Sequence, residues 1–269
     1  MFGSQSELVY YSLYSLIPIV LILYYVYSRD RFPEPPRIVF LTFILGAGTV
    51  LPISILIPFF EGFIENFNLS LMGEDFYFSF VRAAFLEESC KWLVLIFFCV
   101  KNNEFNEPID AIVYGVAASL GFAAYENWEY VTIALHESND MASSVALMRS
   151  FTAIPLHALA GIFMGFFLLK TIFENDNFKI NLFLSLFFPV CLHGLYNFIL
   201  TSNVVSSALI YVLLILMFIR SIFVFKKLRF NQEKIGYEDA YQTNELISAD
   251  IVIVLSSTLL IVITASFII

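Results

Sequence analysis

The sequence has few charged residues and few cysteines, and both shortages argue against whole classes of protein. Only 14% of its 269 residues are charged, and the lysines and arginines form no basic stripe, which argues against nucleic-acid binding. The three cysteines lie in apolar segments without CxxC spacing, which argues against a zinc knuckle or a disulfide framework. The chain also has no internal repeat and no low-complexity tract. We therefore expect a single domain in which the cysteines are small packing residues.

Apolar residues, in contrast, are abundant. Hydrophobic residues make up 59% of the sequence and aromatic residues 17%, and the mean hydropathy is +0.83, which is typical of a polytopic membrane protein. A helix needs about 20 residues to cross the hydrocarbon core of a bilayer. The sequence therefore predicts an all-α membrane helical bundle with about eight transmembrane helices, in one domain that covers residues 1–269. The apolar segments are 9–27, 37–58, 78–100, 108–134, 150–173, 180–201, 204–225 and 250–268, with a predicted cytoplasmic loop over 226–249.

Charged residues are distributed unequally between the two sets of connectors. Most lysines and arginines flank or lie in the connectors after the first, third, fifth and seventh segments. The connector after the second segment instead holds four acidic residues, Glu61, Glu65, Glu74 and Asp75. By the positive-inside rule the basic connectors are cytoplasmic. Both termini are therefore predicted to be extracytoplasmic.

The third segment contains three charged residues in an otherwise apolar run, AFLEESCKWLVLIFF. Each charge at the centre of a bilayer costs about 2.5–3.5 kcal/mol. Glu87 and Lys91 are spaced i,i+4 and Glu88 and Lys91 i,i+3, so all three project to one side of a helix. One lysine cannot compensate two glutamates, which calls for a partner, a proton or a function. A continuous helix is expected because the apolar pieces on either side are each too short to cross alone, with a re-entrant loop as the alternative.

Three further segments contain polar residues that a lipid-facing helix would not keep. The fourth segment has Phe122 and Glu126 at i,i+4, the fifth has His157, and the sixth has His193 and Asn197 at i,i+4. Taken alone, each could be a packing or hydrogen-bonding residue within a helical bundle.

The depths of these groups indicate a single site. Glu87, Glu126, His157 and His193 each lie about seven to nine residues from the outer end of their segment, or about 10–14 Å below the outer boundary. Glutamates, histidines and an asparagine without a serine or cysteine partner point to an activated water rather than a covalent nucleophile. A histidine and an asparagine one turn apart could donate hydrogen bonds to an oxyanion. This set is sufficient for amide hydrolysis.

The ordered set of residues resembles the motifs of the PrsW-type membrane proteases, which belong with the type II CAAX prenyl proteases to the CPBP superfamily. The matching motifs are Glu87-Glu88-x-x-Lys91, Phe122-x-x-x-Glu126, His157 and His193-x-x-x-Asn197. The connector RDRFPEPP resembles the Asp-x-x-x-Glu-Pro element of PrsW-like proteins, through Asp30, Glu34 and Pro35. The second motif ends in glutamate, whereas it ends in histidine in the CAAX relatives, which favours the PrsW branch. The resemblance covers about residues 20–200.

The resemblance implies a glutamic-type protease of the bacterial cytoplasmic membrane that needs no metal and no cofactor. Its implied partners are the lipid bilayer and a single-pass membrane protein substrate, an anti-sigma factor cut first on its extracytoplasmic side. By analogy Glu87 is the water-activating base, Glu126 assists it, and His193 with Asn197 stabilises the oxyanion. Glu88, Lys91 and Phe122 would be supporting residues, and His157 belongs to the catalytic set without an assigned role.

Three other possibilities remain open at this point. A zinc hydrolase could use the same histidines and glutamates as ligands, although the sequence has no HExxH helix. A proton-coupled transporter would also keep carboxylates in the membrane, but it predicts inverted internal repeats that the sequence does not have. A membrane scaffold without proteolysis is a third possibility.

Overall fold

The computed structural model of the chain describes residues 5–174, 177–202, 205–235, 246 and 248–269. Every regular element within these residues is helical, which confirms the predicted all-α class. The α-helices are α1 (Gln5–Tyr27), α2 (Pro36–Gly48), α3 (Val50–Ile64), α4 (Leu71–Phe76), α5 (Leu86–Val94), α6 (Asp110–Glu137), α7 (Asn139–Phe151), α8 (Ala153–Ile172), α9 (Phe178–Thr201), α10 (Leu209–Ile235) and α11 (Ser248–Ile268).

Among the described residues, six helical stretches are long and apolar enough to cross a membrane, as a multi-pass membrane protein requires. They are Val9–Tyr27, Pro36–Ile64, Asn139–Ile172, Phe178–Thr201, Leu209–Phe230 and Ser248–Ile268. The predicted segments 78–100 and 108–134 are helical as well, but they are not among these six. The count of eight transmembrane helices and the extracytoplasmic termini therefore stay predictions.

The helix that contains the EExxK motif is continuous, as the sequence predicts. Wide, π-type turns over Tyr77–Phe85 join α4 to α5, and a second set over Leu95–Cys99 continues α5. In the second set the Val100 N–H donates to the Leu95 carbonyl five residues earlier (2.9 Å). Such wide turns are rare in α-helices and are frequent beside functional sites. The motif thus lies on regular helix between two wide segments.

The predicted segment 37–58 differs from the structure, because it is divided into two helices at Thr49. The Thr49 hydroxyl donates to the Gly46 carbonyl (2.6 Å), a local bond that competes with the helix ladder. Pro52 has no backbone N–H with which to bond the carbonyl four residues earlier. Together these features explain why the ladder is interrupted here.

Helix α6 lies at the centre of the bundle, and α2 and α8 approach it closely at glycines. A Cβ on Gly121 of α6 would collide with the carbonyl oxygen of Phe43 in α2. On the other side, a Cβ on Gly115 would lie 2.5 Å from the carbonyl oxygen of Gly161 in α8. Gly165 also faces α6 without room for a side chain. Small residues at these positions let the helix backbones touch.

Two contacts fix α5 and the preceding wide turns against α9. The buried Trp92 indole N–H of α5 donates to the Ser185 hydroxyl of α9 (2.8 Å). Gly194 of α9 packs against the ring of Phe80 so closely that a Cβ would overlap it. These contacts bring the EExxK turn and the adjacent His193 to the same interface.

Helix α7 lies between the predicted segments 108–134 and 150–173 and is not expected from the sequence. The Ser138 hydroxyl caps it by accepting the Met141 N–H (3.1 Å), and Ala142 and Ala146 pack it against the end of α6. At the other end of the chain, α10 continues to Ile235, so the predicted loop 226–249 begins as helix. Most of the rest of that loop lies outside the described residues.

Candidate active site

Six of the predicted site residues meet inside the bundle, where four helices converge. The motif spacing explains the arrangement, because i,i+3 and i,i+4 positions share one face of a helix. Each of the six is linked to another by a hydrogen bond or an ion pair. They are Glu87, Glu88 and Lys91 from α5, Glu126 from α6, His157 from α8 and His193 from α9.

Glu88 is fully buried and is held by two partners at one oxygen. The Lys91 ammonium donates to Glu88 Oε1 at 2.7 Å, and His193 Nδ1 lies 2.8 Å from the same atom. The lysine is also fully buried. A buried ion pair of this kind needs additional hydrogen bonds to offset its desolvation, and the histidine supplies one.

Glu126 is the centre of a second group of contacts. His157 Nε2 lies 2.9 Å from Glu126 Oε2, and Arg149 Nη2 donates to that oxygen at 2.7 Å. Arg149 Nε also donates to the Asn127 side-chain oxygen at 2.6 Å. The carboxylate is thus paired with a cation from α7 as well as with the predicted histidine.

Lys91 joins these two groups. Its Nζ lies 3.3 Å from His157 Nδ1 and 4.1 Å from the centre of the Phe122 ring. The Phe122 ring in turn packs edge-on against the imidazole of His157, with centroids 5.5 Å apart. The imidazoles of His157 and His193 are nearly perpendicular, with centroids 5.0 Å apart. The predicted supporting residues Lys91 and Phe122 therefore lie at the centre of the cluster.

Glu87 differs from the other two glutamates. Its side chain is 13% exposed, and its Oε2 lies 3.8 Å from both Lys91 Nζ and His193 Nδ1. These distances allow an electrostatic contact, but they are too long for a hydrogen bond. Across the described part of the chain, no group donates a hydrogen bond to this oxygen or to Glu88 Oε2, but the Glu88 side chain is fully buried, whereas that of Glu87 is partly exposed. Glu87 is thus the carboxylate that a water or a ligand can approach.

Asn197 is one helical turn beyond His193, as the spacing predicts, but it does not join the network. Its side chain is half-buried and makes no hydrogen bond or ion pair to any residue that the structure describes. The amide group is therefore available to a bound ligand, and its catalytic role stays a prediction.

Sequence reasoning missed Arg149 and Asn127 as members of the cluster. Arg149 lies at the end of an apolar segment, where arginines commonly sit at the interface and contact lipid headgroups. The available signal was Ser138, a helix cap placed midway between Glu126 and Arg149, which indicates that the chain turns back there.

Some of these side chains are also close enough to hold one metal ion. Donor atoms of Glu87, His157 and His193 all lie within 4.8 Å of one another, and a carboxylate with two histidines is a ligand set that catalytic zinc uses. A second group of donors, Asp30, Glu34 and Asp110, lies equally close together at the other end of α6.

A comparison with known protein families gives a match that covers the cluster. The sequence model described as "PrsW family intramembrane metalloprotease" matches residues 34–222, which include every member of the cluster. No solved structure matches the chain. The resemblance read from the motifs is thereby confirmed.

Similar proteins are known in several bacteria, and each is named Protease PrsW. The relative from Bacillus subtilis (strain 168) is 36% identical over 206 residues, which is 76% of this chain and 88% of the relative. That from Clostridioides difficile (strain 630) is 36% identical over 191 residues, or 70% and 78%. That from Oceanobacillus iheyensis is 37% identical over 187 residues, or 69% and 80%. The chain therefore belongs to the PrsW family of intramembrane proteases and is a multi-pass bacterial membrane peptidase.

Proposed function

We propose that the chain cleaves a membrane-anchored protein by means of a water molecule that Glu87 activates. The observation that carries this proposal is the uncommitted Oε2 of Glu87, next to two glutamates that are already paired. In the cluster, Lys91 pairs with Glu88 and Arg149 pairs with Glu126, whereas Glu87 Oε2 lies 3.8 Å from the Lys91 ammonium. Glu87 is therefore the glutamate of the cluster without a close ionic partner, and a carboxylate in this condition can take a proton from water.

The neighbouring groups have complementary tasks in this mechanism. Glu88 orients His193 by accepting from its Nδ1, so the imidazolium form keeps its second N–H, at Nε2, for the developing oxyanion. Asn197, one turn further along α9, would supply a second donor. Glu126 assists the base, and Lys91 maintains the ionised state of Glu88. Preorganised donors of this kind stabilise charge that appears only in the transition state.

The substrate that we propose is a single-pass anti-sigma factor, cut on its extracytoplasmic side. The support is the motif resemblance together with the charge distribution, because the acidic connector that holds Glu61 and Glu65 is predicted to lie outside. The cluster was predicted below the same boundary. A cut there would leave the transmembrane helix of the substrate for a second protease.

The proposal is tested by comparing the N-termini of membrane proteins, by proteomics, from cells that express the wild type or E87A under inducing stress. A matched control is E129A, which removes an exposed glutamate of the same α6 region. New extracytoplasmic termini in the wild type and in E129A, but not in E87A, are expected and would name the substrate. Identical sets of termini with equal protein levels would contradict the proposal.

A second mechanism, with the same residues around a metal ion, is supported by the donor triad and by the description of the family as metalloproteases. The residues fit such an ion, because Glu87 Oε2 is a buried oxygen without a hydrogen-bond donor. The carboxylate of Glu87 also has no close ionic partner, so it could bind a cation. Glu87, His157 and His193 would hold it. A bound divalent ion would polarise water or the scissile carbonyl.

Chelation separates the two mechanisms. With the water activated by Glu87 alone, we expect the cleavage rate of purified protein in liposomes to stay the same after dialysis against a strong chelator. A loss of activity that zinc restores would replace the metal-independent mechanism with the metal-dependent one. Magnesium is the matched control, since it favours oxygen ligands over imidazole.

A further inference from the structure

Arg149 is a buried arginine that no motif of the family resemblance includes. Only 8% of it is exposed, whereas arginine is almost never buried without partners. We propose that Arg149 is a positioning residue, which acts through Glu126 to fix the orientation and the hydrogen-bonding state of His157. The inference rests on the proposed function for its kinetic consequences, but its geometric part can be tested separately.

The guanidinium of Arg149 is held from three directions by one turn of α6. Nη2 donates to Glu126 Oε2 (2.7 Å) and Nε donates to Asn127 Oδ1 (2.6 Å). The Tyr130 ring covers one face, with its centroid 4.1 Å from the guanidinium carbon. A planar guanidinium that donates hydrogen bonds from two of its nitrogens and packs against a ring has little freedom to rotate. The Arg149 charge is therefore fixed relative to Glu126.

The hairpin between α6 and α7 explains why these two residues meet. Glu126 lies twelve residues before the cap Ser138, and Arg149 lies eleven residues after it. At 1.5 Å per residue both are about 17 Å from the turn. Ala142 and Ala146 precede Arg149 on the same buried face of α7 and pack against Val131, Ala134 and Leu135 of α6. The two helices thus run side by side with the ion pair at matching heights.

The ion pair and Lys91 together determine which nitrogen of His157 carries a hydrogen. A carboxylate oxygen that is paired with a guanidinium can only accept, so His157 Nε2, at 2.9 Å from Glu126 Oε2, must be the donor. The other ring nitrogen, Nδ1, is then bare and accepts from the Lys91 ammonium at 3.3 Å. Both nitrogens of His157 are thereby assigned. Without Arg149, Glu126 could rotate, and only the longer 3.3 Å contact with Lys91 would hold the imidazole.

The kinetic test compares R149Q, R149K and E126Q with a matched control. R82Q removes a half-exposed arginine that pairs with Glu61 at 2.8 Å, outside the cluster. We expect R149Q to lower kcat about 10²-fold with little change in KM, because misplaced groups lose rate rather than binding. R149K should lose about tenfold, since a lysine keeps the charge but not the fork. R82Q should stay within about twofold of the wild type.

The double variant E126Q/R149Q tests whether Arg149 acts through Glu126. If it does, adding R149Q to E126Q should cost less than about threefold in kcat, since the two changes remove one interaction. Losses that multiply in the double variant, or an R149Q rate equal to that of R82Q, would overturn the inference.

Histidine spectra test the geometry without any need for cleavage. The chain has three histidines, His136, His157 and His193, so ¹⁵N-histidine labelling gives few imidazole signals, and H157Q assigns one set. We expect His157 to carry its hydrogen at Nε2 in the wild type and in R82Q, and to exchange between tautomers in R149Q. An unchanged His157 spectrum in R149Q would overturn the inference. If the wild type cleaved no protein, the proposed function would fail, and these spectra would still decide what Arg149 does.

Discussion

The chain holds two buried groups of carboxylates, and their partners are of different kinds. In the first, Lys91 and Arg149 pair with two glutamates and leave Glu87 with an open oxygen. The second consists of Asp30, Glu34 and Asp110. Glu126 is sixteen residues from Asp110 along α6, so the two groups lie about 24 Å apart.

The second group uses neutral donors. The Tyr114 hydroxyl donates to the Glu34 carboxylate, and Asp110 Oδ2 accepts the backbone N–H groups of Asn106 (2.9 Å) and Glu107 (2.6 Å). The Phe32 N–H donates to Asp30 Oδ1 (3.0 Å). These bonds tie two connectors to the start of α6. In the first group the ionic partners leave one carboxylate oxygen open, whereas in the second group the amide and phenol donors join the carboxylates to the connectors.

The largest difference in cleavage rate is expected between E87Q and E34Q. Replacing Glu87 removes the proposed base, and a general base contributes about 10²–10⁴ in rate, so E87Q should have no measurable turnover while it still inserts into the membrane. E34Q should keep the activity of the wild type within a few-fold per folded molecule. The measurement is cleavage, in liposomes, of the substrate found by N-terminal proteomics. Retained turnover in E87Q would remove Glu87 from the centre of the mechanism.

Substitution of the proposed oxyanion donors should have the next largest effect. H193A and N197A should each lower kcat by about 10²–10³-fold. The matched control is H136A, an exposed histidine at the end of α6, which should not change the rate. Near-normal rates for N197A would mean that this half-buried amide only packs in α9.

Loss of a phenol in the second group should act on stability rather than on rate. Y114F leaves the buried Glu34 carboxylate without its donor, at a cost of about 1–3 kcal/mol in the free energy of unfolding. Thermal unfolding of the solubilised protein measures this loss, with the exposed Tyr24 replaced by Phe as the control. A drop in kcat of the folded fraction, without a change in stability, would contradict the proposed division between the two groups.

The smallest expected effect is a pH dependence of stability that arises from Glu34. Burial raises the pKa of this carboxyl above its ordinary value, the Tyr114 hydroxyl partly offsets the rise, and nearby Asp30 adds to it. Because the folded-state pKa is the higher one, the contribution of Glu34 is fully present at low pH and is lost as pH rises through that pKa. The melting temperature of the wild type should therefore fall more steeply than that of E34Q above about pH 4.3, the ordinary Glu pKa. If the melting temperatures of the wild type and E34Q changed with pH in parallel, Glu34 would be excluded as the source of the pH dependence.

The residues of the first group could be predicted from the sequence because membrane helices allow depth to be counted. Glu87, Glu126, His157 and His193 were each assigned a similar distance from the outer boundary, and the structure brings them into contact. Residue spacing fixes which side chains share a helix face, and the bilayer fixes the height of each segment.

What could not be predicted depends on backbone geometry between helices. The proposed role of Arg149 requires the α6–α7 hairpin, in which the chain reverses direction at Ser138. The wide turns on either side of α5 have no signature in the apolar pattern. Likewise, the motif residues Asp30 and Glu34 were identified by resemblance, but their meeting with Asp110 depends on how two connectors fold.

Glycine packing on both sides of α6 limits which helices can move to admit a substrate. Gly121 and Gly115 bring α2 and α8 into backbone contact with α6, so a lateral shift of any of the three would open a gap or cause a collision. The α1 and α10 spans at the rim are far less enclosed, with 12% and 17% buried, against 83% for the span that contains α8. We expect these rim helices to move when a substrate enters from the lipid. Helices α6 and α8 would stay in place and keep Glu126 and His157 in position.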